Sequence, residues 1–122
     1  MRGDAARGRA AHTSGLRAEA LAALFLQLKG YRILARRMKT RAGEIDLVVR
    51  RGRSLVFVEV KARRDMEAAA EALQMRQRAR LVRAAELFIG ARPALMDFDV
   101  RFDLVLVAPR RWPRHLPDAW RP

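Results

Sequence analysis

Residues 43–63 constrain the fold of this chain more than any other stretch, because they predict a β-hairpin. They read GEIDLVVRRGRSLVFVEVKAR. Two runs rich in β-branched and other apolar residues flank a short polar link that contains Gly52, and a glycine at that point is typical of a tight antiparallel connection. We therefore expect the two arms to pair directly and to form the centre of a sheet.

The hairpin also carries the acidic residues that are scarce elsewhere. Side chains two apart on a strand share a face, so Glu44 and Asp46 point the same way in the first arm. In the second arm Glu59 and Lys61 share a face with Phe57, opposite a row of three valines. Pairing of the arms then predicts that the acidic and lysine side chains converge.

An aspartate, a glutamate and a lysine at one place suit metal-assisted phosphodiester hydrolysis. Carboxylate oxygens of Asp46 and Glu59 are ligands that Mg²⁺ prefers, and Lys61 can contact a phosphate or orient an attacking water. The alternative is a solvated strand face with ordinary ion pairs, each contributing under ~1 kcal/mol. The chain has 26 basic and 13 acidic residues, yet its acids between positions 40 and 61 are confined to the hairpin motif, which favours a site.

The motifs GEIDL and FVEVKAR resemble those of the YraN-like family of small bacterial proteins. That family is similar to the restriction-endonuclease-like superfamily, whose active site is written PD-(D/E)xK. By this resemblance Asp46 corresponds to the aspartate of the motif, Glu59 and Lys61 to its ExK, and Glu19 to an acid on the first helix. The chain departs from the pattern in two places: Ile45 stands where a proline is common, and Gln77 where the second helix tends to carry lysine.

The resemblance implies an endonuclease that hydrolyses DNA with Mg²⁺ or Mn²⁺, including branched or repair intermediates. Asp46, Glu59 and Glu19 are the expected metal ligands and Lys61 the residue that assists water attack, with Glu44 and Gln77 as supporting residues. The alternative is a nucleic-acid-binding or partner-binding protein that retains the fold without efficient catalysis. A weaker third hypothesis is an RNA-associated structural role.

The net charge of +13 predicts a polyanionic partner, with DNA as the leading candidate. Coding bias toward arginine is the alternative origin of this charge. Residues that we expect to contact the nucleic-acid backbone are Arg36, Arg37, Lys39, Arg41, Arg63, Arg76 and Arg80. Pairing of two copies into a homodimer stays open.

Length and composition predict one cytoplasmic domain. The chain of 122 residues has no cysteine, no apolar run near the ~20 residues that span a bilayer, and no hydrophobic signal segment. We divide it into a disordered basic tail over residues 1–13, a nuclease-like domain over 14–107, and a Pro/Trp/Arg-rich extension over 108–122.

The periodicity predicts the element order αβββαβ, an α/β fold with one mixed sheet and helices on both faces. The first helix is expected over residues 14–29, and its predicted buried face consists of Leu16, Ala20, Ala23, Leu24 and Leu28. Residues 31–35 then form a strand, and 36–41 a basic loop that leads into the hairpin. A second helix begins near Glu67 or Glu71 and ends near residue 89. Its predicted buried face consists of Leu73, Leu81, Ala84, Ala85 and Phe88. A buried strand covers 99–107. The two tryptophans of the extension either pack against the protein or stack on bases.

Overall fold

The computed structural model describes residues 2–62 and 75–122, with side chains described from Gly15 in the first range and from Gln77 in the second. Helix α1 spans Arg2–Leu28 and helix α2 spans Met75–Gly90. The strands are β1 (Arg32–Thr40), β2 (Gly43–Arg51), β3 (Ser54–Ala62), β4 (Asp99–Val107) and β5 (Arg114–Leu116). A short 3₁₀ helix covers Pro93–Leu95.

The strands form one mixed sheet in the order β1-β2-β3-β4-β5. β2 and β3 form the predicted antiparallel hairpin, in which Arg51 pairs with Ser54 around Gly52, whose φ is +60°. β3 and β4 are parallel along their whole length, and β5 adds an antiparallel edge to β4. The α/β class and the αβββαβ order are confirmed, with β5 as an additional strand.

Alternate residues of β3 supply two separate core clusters. Val56 and Val58 pack with α1, whereas Leu55 and Phe57 pack with α2. The α2 cluster contains the predicted apolar face of that helix, namely Leu81, Ala84, Ala85 and Phe88. The start of the second helix, predicted near Glu67 or Glu71, and Leu73 of its predicted buried face lie outside the described residues.

The predicted buried face of α1 is wrong at Ala20, Leu24 and Leu28, which are exposed, and right at Ala23, which is buried. Its buried side chains are small, with Ala18, Ala22 and Ala23 joined by Leu26, whereas Leu24 and Leu28 are exposed by 53% and 72%. Alanine lets the helix axis approach the sheet closely, and a pattern weighted by side-chain size selects the leucines instead. The helix also begins well before the predicted position 14, because alanine and arginine have high intrinsic helix propensity.

The basic segment after residue 35 is strand rather than the predicted loop. β1 continues to Thr40 because its residues pair with β2, from Arg32 opposite Arg50 to Thr40 opposite Gly43. This pairing overrides the low β-propensity of a charged segment. Arg36, Arg37 and Lys39 therefore lie on a strand, and Arg41 lies in the turn that follows.

The carboxyl-terminal extension packs against the sheet. Trp120 is buried and its ring stacks on Phe102 with a centroid separation of 5.4 Å. Within the described residues, no helix is long and apolar enough to cross a membrane.

Candidate active site

Asp46 lies where the ladder between β2 and β3 ends. The last paired residues are Leu47 and Val58, so the next pair along, Asp46 and Glu59, is outside the register of the ladder. The Asp46 carboxylate takes the place of a backbone acceptor there, since its Oδ2 accepts the Val60 N–H at 2.8 Å. The strand end thus fixes the carboxylate with a backbone donor.

Strands β2 and β1 are both irregular close to Asp46. Ile45 and Val48 belong to one core cluster while Leu47 belongs to the other, so the simple alternation of β2 slips next to Asp46. On β1, Arg37 has a φ of +48°, a left-handed conformation that is uncommon for a residue other than glycine. Such irregularities re-aim side chains and are frequent beside active sites.

Glu59 and Lys61 share a face of β3, as predicted, and form an ion pair. The Lys61 Nζ lies 3.2 Å from the Glu59 Oε1, and their side chains are only 12% and 17% exposed. Glu59 also contacts Asp46 closely enough for a carboxyl–carboxylate hydrogen bond. Asp46, Glu59 and Lys61 therefore form one continuous group across β2 and β3.

Two further carboxylates approach Asp46. Ligand oxygens of Glu19, Glu44 and Asp46 all lie within 4.8 Å of one another. Glu19 projects from α1 and is buried, with its Oε1 3.7 Å from the Nε of Arg37. Helix α1 thus brings a fourth acid to the hairpin.

The electrostatics of this cluster favour protons or a cation. Burial, followed by the charge of Glu59, raises the pKa of Asp46 to about 7, although the Val60 N–H lowers it in part. Burial also raises the pKa of Glu19, against the lowering influence of Arg37 and Arg36. Carboxyl groups whose ionised forms are disfavoured in this way mark candidate functional sites.

The donor set fits a hard divalent cation. Carboxylate oxygens from Glu19, Glu44 and Asp46 are close enough to share one ion, and Glu59 adjoins Asp46. Mg²⁺ and Mn²⁺ prefer such oxygen ligands and retain water in their remaining positions. Among the described residues, histidine and cysteine contribute nothing to this cluster.

The basic residues predicted to contact nucleic acid fall into three groups. Arg36, Arg37 and Lys39 line a groove of about 620 Å³ together with Glu19, Glu44 and Asp46. The Arg80 side chain lies next to Gly43, and Arg41 is exposed in the turn before that glycine. Arg63 and the side chain of Arg76 lie outside the described part of the chain.

Gln77 projects from α2 toward the same cluster. It lines a small cavity with Glu44, Glu59 and Arg80, and its Oε1 is buried without a hydrogen-bond partner among the described residues. A buried amide oxygen without a donor is costly by about 1–3 kcal/mol. Gln77 is therefore placed to accept a hydrogen bond from a ligand or water at the site.

Sequence reasoning missed a second polar cluster, centred on Asp103. This fully buried carboxylate accepts two hydrogen bonds from Arg101 at 2.8 Å and one from the Asp118 N–H at 2.9 Å, and lies 2.6 Å from the His115 Nε2. Although burial raises it, these hydrogen bonds together lower the pKa of Asp103 to about 2. A charged residue in the middle of a continuous apolar strand was the available signal.

Comparison with known proteins identifies the family. A family model described as "Uncharacterised protein family UPF0102" matches residues 18–107, which include every described residue of the site. The chain belongs to the UPF0102 family. This confirms the resemblance to the YraN-like family.

UPF0102 proteins of several bacteria are similar over nearly the whole chain. That of Parvibaculum lavamentivorans is 64% identical over 121 residues, covering 99% of this chain and 91% of the relative. That of Methylorubrum extorquens is 57% identical and covers 94% and 90%. That of Caulobacter vibrioides is 54% identical and covers 93% and 91%.

Proposed function

We propose that this UPF0102 protein is a metal-dependent endonuclease that hydrolyses phosphodiester bonds of DNA. The observation that supports the proposal is the continuous group formed by Asp46, Glu59 and Lys61 at the end of the β2–β3 ladder. The restriction-endonuclease-like motif resemblance and the net charge of +13 agree with it.

Glu19, Glu44 and Asp46 are the residues that would hold Mg²⁺ or Mn²⁺, and Glu59, which adjoins Asp46, would add a further ligand. When bound, the cation supplies positive charge for the phosphate oxygens and lowers the pKa of a coordinated water. The ion pair with Glu59 orients the Lys61 ammonium group, which can then donate to a phosphate oxygen or to the attacking water. Water oxygen adds to phosphorus, the P–O bond to one sugar breaks, and that sugar oxygen leaves with a proton.

The groove beside the carboxylate cluster would bind the phosphate backbone of the substrate. Arg36 and Lys39 are exposed and line the same groove as Asp46. Their charges would bind phosphates on either side of the scissile bond, which positions DNA without reading its sequence. Arg37 has a double role because it also forms an ion pair with Glu19.

A cleavage assay tests the proposal. Duplex, flapped and four-way DNA are incubated with Mg²⁺ or Mn²⁺ and the wild type, Asp46→Asn or Lys61→Ala. Because a positioned acid–base or charged group contributes about 10²–10⁴-fold to rate, either substitution should lower the cleavage rate by at least about 100-fold. Asp99→Asn is the matched control, since Asp99 is an exposed strand aspartate at the opposite end of the sheet.

Equal cleavage rates for the wild type and the two site variants would refute the assigned site. Absence of cleavage by the wild type on all substrates, together with DNA binding that survives in Asp46→Asn, would instead support the alternative of a binding protein that retains this fold. Two departures from the motif favour this alternative: Gln77 in place of a lysine on α2, and Ile45 in place of the proline before Asp46.

A further inference from the structure

A second groove lies beside the candidate active site, on a different part of the surface of α1. Its volume is about 720 Å³, within the range of ligand-binding clefts. It is bounded by Arg17 and Leu21 of α1, by the end of β3 at Ala62, and by the loop that joins β4 to β5. None of the residues placed in the candidate metal cluster lines it.

The loop presents an exposed aromatic ring on an anchored backbone. Trp112 is 79% exposed, whereas Ala108 at the start of the loop is buried and so is Pro113, which precedes β5. Two prolines restrict the loop, and Arg110, which follows Pro109, has a φ of +60°. The Trp112 ring thus contributes little to packing and leaves an aromatic face open to a ligand in the groove.

Positive charge surrounds this ring. Arg17, Arg110 and Arg111 are all exposed and line the groove, and none of them forms an ion pair with a carboxylate among the described residues. An indole face accepts a stacked base, while arginine binds the adjoining phosphate and also stacks on planar groups. The groove therefore combines the two features that single-stranded nucleic acid requires.

Both features are close in the chain to the site proposed for hydrolysis. The groove beside Asp46 is lined by Glu19 of α1 and Val60 of β3, and the second groove by the neighbouring Ala18 and by Ala62. Val60 and Ala62 are two apart on β3, so they share a face and lie about 7 Å apart, and a nucleic-acid strand in one groove can continue into the other.

We infer that the groove at Trp112 binds an unpaired nucleotide of a DNA substrate, so that the preferred substrate contains a single-stranded segment. This inference deepens the proposed nuclease function and rests on it. Only an unpaired base can present its face to the ring, because the bases of a duplex are already stacked on one another. A second copy of this chain is a poor occupant, since each copy carries a net charge of +13 and arginine surrounds the groove.

Binding measured without metal separates this inference from catalysis. Fluorescence anisotropy of a labelled oligothymidylate and of a blunt duplex is recorded in EDTA with the full chain. Trp112→Ala should weaken binding of the single strand by about tenfold and leave duplex binding within about twofold, because one base–aromatic stack is lost. Trp112→Phe should restore most of the affinity, since phenylalanine also offers a ring face.

A matched arginine pair tests the charged rim. Arg111→Ala should weaken single-strand binding more than Arg32→Ala does, although both remove one exposed arginine. The inference is overturned if Trp112→Ala and Arg111→Ala bind the single strand like the wild type. It is also overturned if sedimentation shows a dimer that Trp112→Ala dissociates.

The two proposals can fail separately. Loss of single-strand affinity in Trp112→Ala with no cleavage by the wild type supports the groove and refutes hydrolysis. Cleavage that depends on Asp46 but is equally fast on blunt and flapped DNA, with unchanged binding by Trp112→Ala, supports hydrolysis and refutes the groove.

Discussion

At the residue scale, the position of Asp46 favours binding of a cation and lowers the stability of the folded protein without one. Its carboxylate is mostly buried, adjoins Glu59, and has ligand oxygens of Glu19 and Glu44 within 4.8 Å. Like charges this close disfavour the ionised form, and a bound cation would remove that cost. Active sites commonly contain such destabilising arrangements.

Asp46→Asn should therefore stabilise the metal-free protein while abolishing activity. The folded-state pKa of Asp46 is raised to about 7 from 3.8, so this group lowers the folding stability progressively as the pH rises from about 4 to about 7 and by a constant amount above that. Below about pH 4 the carboxyl is protonated in both states. An asparagine oxygen can still accept the Val60 N–H. We expect about 1–3 kcal/mol of added stability at pH 8 in EDTA by urea unfolding, and a smaller gain at pH 5. Destabilisation at pH 8 would contradict this account of the cluster.

The sequence predicted the members of this cluster better than their detailed arrangement. Strand periodicity placed Glu59 and Lys61 on one face, and the hairpin brought Asp46 to Glu59. It could not predict the hydrogen bond from Val60, because that bond depends on where the ladder stops. The left-handed conformation of Arg37 was equally hidden, since an arginine gives no local signal for it.

At the element scale, hydrophobic periodicity predicted the buried face of a helix where that face carries large apolar side chains. It failed where the buried face consists mainly of alanine. Phe88 and Leu81 revealed the buried face of α2. On α1 the alanines at positions 18, 22 and 23 are buried with Leu26, and Leu24 projects from the opposite side of the helix. Alanines carry too little apolar weight to mark the buried face in a sequence pattern. Strand β5 is too short for a pattern and exists because it pairs with β4.

The polar cluster at Asp103 attaches β5 to β4 and should make that attachment sensitive to acid. The pKa of Asp103 is lowered to about 2, so its contribution to stability is present above about pH 4 and is lost as the pH falls toward 2. Asp103→Asn should cost roughly 2–4 kcal/mol at pH 7, because the half-buried Arg101 loses its charged partner. The difference between wild type and variant should shrink as urea unfolding is repeated from pH 5 to pH 2.

Comparing the two proteins at each pH cancels the general repulsion that protonation of the other acids produces. The hydrogen bonds with Arg101 and His115 imply an ionised Asp103 in the folded protein. A difference in the free energy of unfolding that stays constant from pH 5 to pH 2 would contradict this.

At the scale of the whole molecule, charge and site geometry point to the same partner. The net charge of +13 coexists with a concentrated group of acids, an arrangement that suits a polyanionic substrate and a cation between them. Composition alone predicted this balance, but the position of each charge required the sheet register that puts Arg36 and Lys39 beside Asp46.

DNA affinity should accordingly depend strongly on salt, in a manner that reports individual contacts. Each phosphate contact contributes about 0.9 to the slope of log affinity against log salt concentration. Replacing Arg36 and Lys39 with alanine should reduce the magnitude of the duplex slope by about 2 in EDTA. Alanine at both Arg32 and Arg83, two exposed residues outside this groove, is the control with the same charge loss. Equal slopes for the two double variants would mean that the groove does not bind the phosphate backbone of DNA.

The most direct test of the central claim is a crystal of the full chain soaked in Mn²⁺ and measured at a wavelength where manganese scatters anomalously. We predict one anomalous peak within coordination distance of Asp46 and at least one more of Glu19, Glu44 and Glu59, and no peak in crystals of Asp46→Asn. Anomalous density that avoids these carboxylates, or that persists unchanged in Asp46→Asn, would contradict the assignment of a metal site to this cluster.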